Sequence, residues 1–201
     1  MNNNIKIDTP NFSIILQNFL RSTDQKSKTT SILNKKILNE LEEKNIFVDF
    51  GCGDGKITEK IGKKFNTVIG IEPNKELLKV FSEKTSLSDL RLVNKKMEDV
   101  KIDMEVDFML FSYVIGYMNV FKNPEKNAEY KFGIFQEHLK KLKFNGIAAI
   151  IDSTYESINY KGLFEYLKIP TFNNLKIFEK KIKQHYSVTE ELFDVVVTCS
   201  N

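Results

Sequence analysis

Short apolar runs alternate with longer amphipathic stretches along most of the chain. The runs IFVDFG at 46–51 and TVIGIE at 67–72 are typical of buried strands. Between them Ile57, Ile61 and Phe65 recur every four residues, which places them on one face of a helix. The first unit is therefore predicted to be a strand, a helix and a second strand.

The same pattern continues through the middle of the chain. Apolar runs at 90–94 and 106–112 predict strands three and four, and the continuous run after Gly146 predicts a fifth strand that is buried on both faces. Helices are predicted after Pro73 and from Pro124 to about residue 143. Strands and helices that alternate in this way form a doubly wound sheet.

The two ends of the chain depart from that alternation. Residues 10–21 and 30–44 carry helical patterns, and a further helical stretch is predicted around 156–168. The segments 175–188 and 191–200 look alternating, so we predict an antiparallel strand pair there. The complete prediction is an α/β, Rossmann-like sheet of seven mostly parallel strands with an antiparallel C-terminal hairpin.

Length and composition fit a single domain. The chain has 201 residues, of which 41% are hydrophobic, enough for one buried core but not for two ordinary domains and a linker. We expect one domain over 1–201, with 1–45 as a helical cover over the ends of the sheet and 46–201 as the core. No apolar run reaches the length of a membrane span and the start lacks the layout of a secretory signal, so a cytoplasmic protein is expected.

Charge and cysteine usage argue against several kinds of site. The 30 basic and 27 acidic residues are scattered in short groups, which does not predict a nucleic-acid partner. Cys52 and Cys199 lie far apart without C-x-x-C spacing, so neither a disulfide framework nor a metal site is expected. His138 and His185 fall in a predicted lysine-rich helix and a predicted edge strand, where structural or solvent roles are expected.

The loop after the first strand carries the strongest functional signal. Ligands of doubly wound sheets bind beyond the carboxyl ends of the strands, and strand one leads into VDFGCGDGKIT at 48–58. Gly51, Gly53 and Gly55 allow a tight turn and a close approach of the backbone to a ligand. A dinucleotide-binding turn would place its third glycine where Lys56 stands.

Acidic residues around this loop favour a cationic ligand. Asp54 sits where a pyrophosphate would lie, whereas S-adenosylmethionine (SAM) carries an ammonium group and a sulfonium that suit Asp49. Glu72 lies at the tip of strand two, 23 positions after Asp49, and its carboxylate is placed to accept both hydroxyls of an unmodified ribose. We therefore predict SAM as the cofactor.

The motifs resemble those of class I SAM-dependent methyltransferases. VDFGCGDG, IGIEPN, VDFMLFSYVIGYM and FNGIAAIIDS occur in the order and spacing of that family, over roughly residues 30–155. The resemblance implies that the loop contacts the methionine part of SAM through its backbone and that the acid after strand two binds the ribose. The residues concerned are Asp49, Gly51, Cys52, Gly53, Glu72 and Pro73.

The adenine end departs from the family pattern. Many members carry an acid after strand three that accepts a hydrogen bond from the adenine amine, but Lys96 stands at that position here. The next candidates are Met97, which would lie against the adenine ring, and Glu98, which would accept the hydrogen bond from the adenine amine. Plain core packing is the other explanation of Met97.

The segment FSYVIGYM after strand four is expected to face the acceptor. Ser112 is expected beside the cofactor, and Tyr113 and Tyr117 in the substrate pocket. Because the two tyrosines are four residues apart, packing on one helix face explains them about equally well. The Pro-Pro-aromatic motif of enzymes that methylate bases in nucleic acid is absent, which weakens the case for a base-modifying role.

The segment NFLRSTDQKS at 18–27 is faintly similar to histamine N-methyltransferase-like enzymes. With a one-residue gap, Asp24 aligns with the acid that meets the amine substrate; a helix cap is its other explanation. The predicted function is methyl transfer from SAM to a small-molecule acceptor, with amines among the candidates. The alternatives are an RNA or protein methyltransferase, and a SAM-binding protein without transferase activity.

Overall fold

The computed structural model of the chain describes residues 14, 25–115, 118, 120–151, 173–189 and 196–200. Within them, five parallel strands form the centre of an α/β, Rossmann-like fold. The strands are β1 (Ile46–Phe50), β2 (Thr67–Ile71), β3 (Leu90–Val93), β4 (Val106–Ser112) and β5 (Leu142–Ile151). They lie side by side in the order β3-β2-β1-β4-β5. The predicted parallel, doubly wound sheet is confirmed by this order.

Helices connect the strands. Those before β5 are α1 (Gln25–Ile32), which continues through a π-helical stretch at Leu33–Ile37, then α2 (Thr58–Gly62), α3 (Lys75–Lys84) and α4 (Pro124–Leu139). Asn74 caps α3, since its side chain accepts hydrogen bonds from two amides of the first turn. Asn123 caps α4 in the same way.

Two helix bounds differ from the predicted ones. The helix expected over 30–44 begins earlier, at Gln25, and its helical hydrogen bonding ends at Ile37. Helix α4 ends at Leu139, before residue 143, because the chain turns there and Leu142 already pairs with the start of β4.

The core lies on both faces of the sheet, because successive strand residues point to opposite faces. On one face Phe111 of β4 packs against Phe135 of α4, with ring centroids 4.9 Å apart. On the other face Phe108 packs against Phe47 of β1 at 5.2 Å. Every residue of β4 is buried, as expected of a central strand covered on both sides.

The N-terminal helical segment packs against the second of these faces. Leu33, Ile37 and Leu38 are buried in the same cluster as Phe47 and Phe108. The segment was expected to cover the ends of the sheet. Its apolar side chains cover a face, and only the first turns of α1 reach the carboxyl edge of the strands.

The segment 175–188 corrects the prediction of a strand. Most of it forms a helix, α5 (Asn173–His185), so His185 lies on a helix and not on an edge strand. Ile182 is fully buried, and Tyr186, four residues later, packs on the aromatic side chains of α4. This spacing of four residues matches the helical period, and Lys183 and Gln184 between them are good helix formers.

Two short strands follow α5. They are β6 (Ser187–Thr189) and β7 (Val196–Ser200). The helices expected over 10–21 and 156–168 lie outside the described residues, apart from Ile14. No helix in the described part of the chain is long and apolar enough to span a membrane.

Candidate functional site

The strand order reverses between β1 and β4, and we call the region between the loops at their carboxyl ends the cleft, because ligands of doubly wound sheets bind at such a switch point. Parallel strands bring the segments after β1, β2 and β4 to the same edge of the sheet. The first loop begins at Gly51, Glu72 follows β2, and Tyr113 follows β4. The residues predicted from three separate motifs therefore lie at one edge.

The loop after β1 is held in a left-handed backbone conformation by its glycines. Gly51, Gly53 and Gly55 have φ angles of 79°, 55° and 76°, which residues with a side chain seldom adopt. The amides of Gly51 and Cys52 both donate to the carbonyl oxygen of Ile71, at 2.7 and 3.0 Å. The carbonyl of Cys52 in turn accepts a hydrogen bond from the amide of Gly55 at 3.0 Å, which confirms the predicted tight turn.

The Cys52 side chain packs inside the protein. It is 6% exposed, and a Cβ atom at Gly70 of β2 would lie 2.9 Å from its sulfur. Burial, together with the nearby carboxylates of Asp49 and Glu72, raises the pKa of the thiol well above its ordinary value. Because the thiolate is the nucleophilic form, this cysteine is suited to packing and not to nucleophilic catalysis.

Glu72 joins the loop after β1 to the start of α3. Its Oε2 accepts a hydrogen bond from the amide of Gly53 at 3.1 Å, and its Oε1 accepts one from the amide of Asn74 at 2.8 Å. Burial raises the pKa of its carboxyl, although these two bonds oppose the shift. At 7% exposure Glu72 is not the surface acid that an ordinary turn would carry. Each carboxylate oxygen retains a second lone pair for a ligand hydroxyl.

Asp49 provides a buried acceptor atom that lacks a donor. The residue is 1% exposed, and the hydroxyl of Thr58 donates to its Oδ2 at 2.7 Å. Its Oδ1 has no hydrogen-bond partner among the described residues. Burial raises the pKa of this carboxyl to about 7. A buried, unpaired carboxylate oxygen is unfavourable, so a cationic or hydrogen-bond donor ligand at this position would be stabilising.

The pH dependence of ligand binding tests the position of Asp49. Its carboxyl pKa is about 7 in the folded protein against 3.8 ordinarily, so the folded state binds the proton more tightly and the free protein loses stability as pH rises through this range. A ligand that places an ammonium group beside Asp49 favours the ionised carboxylate. The rise in melting temperature caused by S-adenosylhomocysteine (SAH) should therefore grow between about pH 6 and pH 8.

Asp49→Asn is the matched variant for this measurement, because the asparagine side chain has the shape of aspartate but does not titrate. Its SAH-induced shift should be smaller and nearly flat across the same pH range. The same pH dependence in the variant and the wild type would assign the effect to another group.

The structure corrects the prediction that Asp54 would repel a pyrophosphate. Its carboxylate is paired with the ammonium of Lys26 at 2.6 Å and with that of Lys56 at 3.1 Å. Although burial raises the pKa of Asp54, the two lysines hold it below its ordinary value. Because two cations offset its charge, Asp54 is not the residue that would repel a pyrophosphate. The acidic character of the cleft comes from Asp49 and Glu72.

The turn after β3 is anchored to α4 by His138. The imidazole Nε2 lies 3.0 Å from the carbonyl oxygen of Met97, and the ring lies 4.4 Å from that of Phe50. Burial lowers the pKa of His138, which keeps the ring neutral and fits the predicted structural role. The Met97 side chain is 3% exposed and belongs to the core, whereas Glu98 is half-buried.

Tyr113 lies in a turn at the end of β4, so packing along a helix does not explain it. Its φ is 55°, and its amide donates to the carbonyl of Ile151 at 2.7 Å. Its hydroxyl lies 2.8 Å from the hydroxyl of Thr29 on α1. Ser112, the last residue of β4, is 7% exposed. Tyr117 lies outside the described residues.

Three residues of the cleft were not predicted from the sequence. Lys26 and Thr29 lie on α1, and Thr58 begins α2. Their spacing of three residues puts Lys26 and Thr29 on one helix face, but nothing in the local pattern indicates what that face meets. The predicted substrate residue Asp24 directly precedes α1 and lies outside the described residues.

Comparison with known proteins gives a family for the central part of the chain. Residues 48–150, about half of the chain, match the family described as the methyltransferase domain. No curated protein matches the chain.

Solved structures of methyltransferases share the fold. One is a SAM-dependent methyltransferase from Clostridium acetobutylicum ATCC 824, with a TM-score of 0.61 and 18% identity, over 76% of this chain and 60% of that one. The chain thus spans less than two thirds of that protein.

Two further structures are similar over more of this chain. The plantazolicin methyltransferase BpumL in complex with SAH has a TM-score of 0.68 and 16% identity, over 90% of this chain and 75% of that one. The N-methyltransferase NodS from Bradyrhizobium japonicum WM9, also in complex with SAH, has a TM-score of 0.66 and 11% identity, over 87% and 86%. At sequence identities this low, the similarity shows a shared fold and nothing more specific.

Proposed function

Because the chain belongs to the methyltransferase domain family, we propose that it transfers a methyl group from SAM to a small-molecule acceptor. The observation that carries this proposal is the pair of buried carboxylates at the switch point of the sheet. Asp49 and Glu72 are both nearly inaccessible to solvent, both raise the pKa of the Cys52 thiol, and Glu72 also raises the pKa of Asp49. Such a pair is offset by a ligand that brings positive charge and hydroxyl donors.

The residues of the cleft fit the chemistry of SAM. The unpaired Oδ1 of Asp49 suits the ammonium group of the methionine part. The remaining lone pairs of Glu72 suit the two ribose hydroxyls. The proposed cofactor-binding residues are Asp49, Gly51, Cys52, Gly53, Glu72, Pro73, Met97, Glu98 and Ser112.

Catalysis would depend on alignment more than on an acid-base pair. When bound, SAM supplies a methyl group that is already activated by its attachment to a sulfonium. The protein then has to hold the acceptor atom in line and exclude water. We assign Tyr113 and Tyr117 to the acceptor pocket and Asp24 to orienting an amine acceptor. The hydroxyl of Tyr113, at the end of β4, supports the first of these assignments.

We prefer a small-molecule acceptor over the two other candidates. Amines are the first class of acceptor to test. The fold shared with NodS, an N-methyltransferase by its name, supports that order of testing. The second candidate is an RNA or protein methyltransferase, whose binding to RNA would weaken steeply with salt because lysine contacts to phosphate release counterions. The third is a SAM-binding protein without transferase activity, which would bind the cofactor but modify no acceptor.

We also propose that the chain is one domain over 1–201, with 1–45 as cover and 46–201 as core. An antiparallel hairpin of β6 and β7 would complete a seven-stranded sheet. The pairing of Ala148 with Cys199 and of Val188 with Cys199 supports this arrangement.

Calorimetric titration with SAM, SAH and NADH tests the proposal. Binding of SAM and SAH with dissociation constants of about 1 to 100 μM is expected, in the range of free energies common for cofactors of this size, with no binding of NADH. Binding of NADH alone would refute the assignment of the cofactor. If SAM binds, turnover with a panel of amines, followed by RNA and protein acceptors, separates the three candidates.

A further inference from the structure

Helix α1 contacts both the loop after β1 and the loop after β4. Lys26 of α1 donates to Oδ1 of Asp54 in the first loop at 2.6 Å. Thr29, three residues later on the same face, bonds the hydroxyl of Tyr113 in the second loop at 2.8 Å. The helix is therefore tied to both sides of the cleft.

The contact of Thr29 fixes the position of the helix. Thr29 is 4% exposed, and its hydroxyl reaches outside its own helix. The hydroxyl of the adjacent Thr30 donates instead to the carbonyl of Lys26 within α1, at 2.7 Å. The backbone amide of Tyr113 donates to Ile151, so the contact with Thr29 links α1 to a residue that is itself held at the end of β4.

The ammonium of Lys26 faces the acidic cleft. Its side chain is only 18% exposed, compared with 47% for Lys56, the other partner of Asp54. The charge of Lys26 also lowers the pKa of both Asp49 and Glu72, against the effect of their burial. Lys26 is thus the inward-facing lysine of the two.

The methionine part of SAM carries a carboxylate on the same carbon as its ammonium group. If Asp49 binds the ammonium, the carboxylate lies within a few ångströms of Asp49, where the two buried acids would repel it. A cation on the same side is needed to offset that repulsion. An ammonium group has three donors, so Lys26 can keep its bond to Asp54 and still donate to a second carboxylate.

We infer that Lys26 binds the carboxylate of the methionine part, held in place by Asp54 and by the contact of Thr29 with Tyr113. This inference rests on the proposed function, because it requires that SAM occupies the cleft. It gives the N-terminal segment a direct part in cofactor recognition.

The test compares SAH with its decarboxylated analogue, 5′-deoxy-5′-(3-aminopropylthio)adenosine, by calorimetric titration. Lys26→Met should weaken SAH by about tenfold or more, the scale of a lost charged hydrogen bond, and change the affinity of the analogue less than about twofold. Lys26→Arg should restore most of the loss. Lys56→Met is the matched control, since it removes the outward partner of Asp54, and it should leave both affinities within about twofold.

A second variant separates direct binding from support of the loop. Asp54→Asn keeps the Lys26 charge but removes the ion pair, so it should weaken SAH less than Lys26→Met does. Equal losses for SAH and the analogue in Lys26→Met, or an unchanged affinity for SAH, would overturn the inference. Failure of the wild type to bind either ligand would instead count against the proposed function.

Discussion

Glu72→Ala is expected to weaken SAH binding by about tenfold to a hundredfold, which corresponds to about 1.5 to 3 kcal/mol. The variant loses the proposed acceptor of the ribose hydroxyls. It also loses the two bonds by which the carboxylate holds the amides of Gly53 and Asn74, at 3.1 and 2.8 Å. The loop after β1 and the start of α3 would then no longer be fixed relative to each other. Calorimetric titration measures the change.

Glu76→Ala is the matched control for Glu72→Ala. Glu76 is an exposed acid in the first turn of α3, so its loss changes the net charge equally without opening the cleft. SAH affinity should stay within about twofold of the wild type, since a screened surface charge contributes little. Binding to Glu72→Ala as tight as to Glu76→Ala would remove Glu72 from the cofactor site. A 2′,3′-dideoxy analogue of SAH should show a smaller loss with Glu72→Ala than SAH does.

Gly55→Ala is expected to be the most destabilising single substitution in the loop. A Cβ atom at this position would lie 2.1 Å from a ring carbon of Phe81, and the φ angle of 76° is strained for alanine. Phe81 is 1% exposed in the core, so its ring cannot move into solvent. Overpacking together with the left-handed backbone predicts a loss of about 2 to 5 kcal/mol. Denaturant unfolding of the ligand-free protein measures it.

Gly53→Ala separates the effect of overpacking from that of the left-handed backbone. Its φ of 55° is also left-handed, but a Cβ atom there would meet nothing within 4 Å. Only the backbone strain applies, so a smaller loss of about 1 to 2 kcal/mol is expected. Equal losses at Gly53 and Gly55 would mean that the contact with Phe81 is relieved by a shift of the loop.

The sequence alone determined the strands of the parallel sheet and the loop beside its switch point. These features depend on local pattern. A strand such as β4 is buried on both faces and therefore continuously apolar, and left-handed turns require glycine at particular positions. The spacing between Asp49 and Glu72 follows from the length of one strand-helix-strand unit, so both acids were predicted at the same edge of the sheet before their burial and contacts were known.

The C-terminal segment shows where local pattern was insufficient. Residues 175–188 contain apolar positions that fit both a strand and a helix, and the choice depended on what they pack against. In the structure Ile182 and Tyr186 meet α4 on one side, which requires helical spacing. The local pattern of such a segment gives no signal for that partner.

Only the tertiary structure decided the charge balance of the cleft. Asp54 looked like an unpaired acid in the sequence, but Lys26, 28 residues before it, neutralises part of its charge. The contact between Thr29 and Tyr113 spans 84 residues. Such pairs are set by how a helix lies across the sheet, which depends on the packing of the whole core and leaves no mark in the local spacing of polar residues.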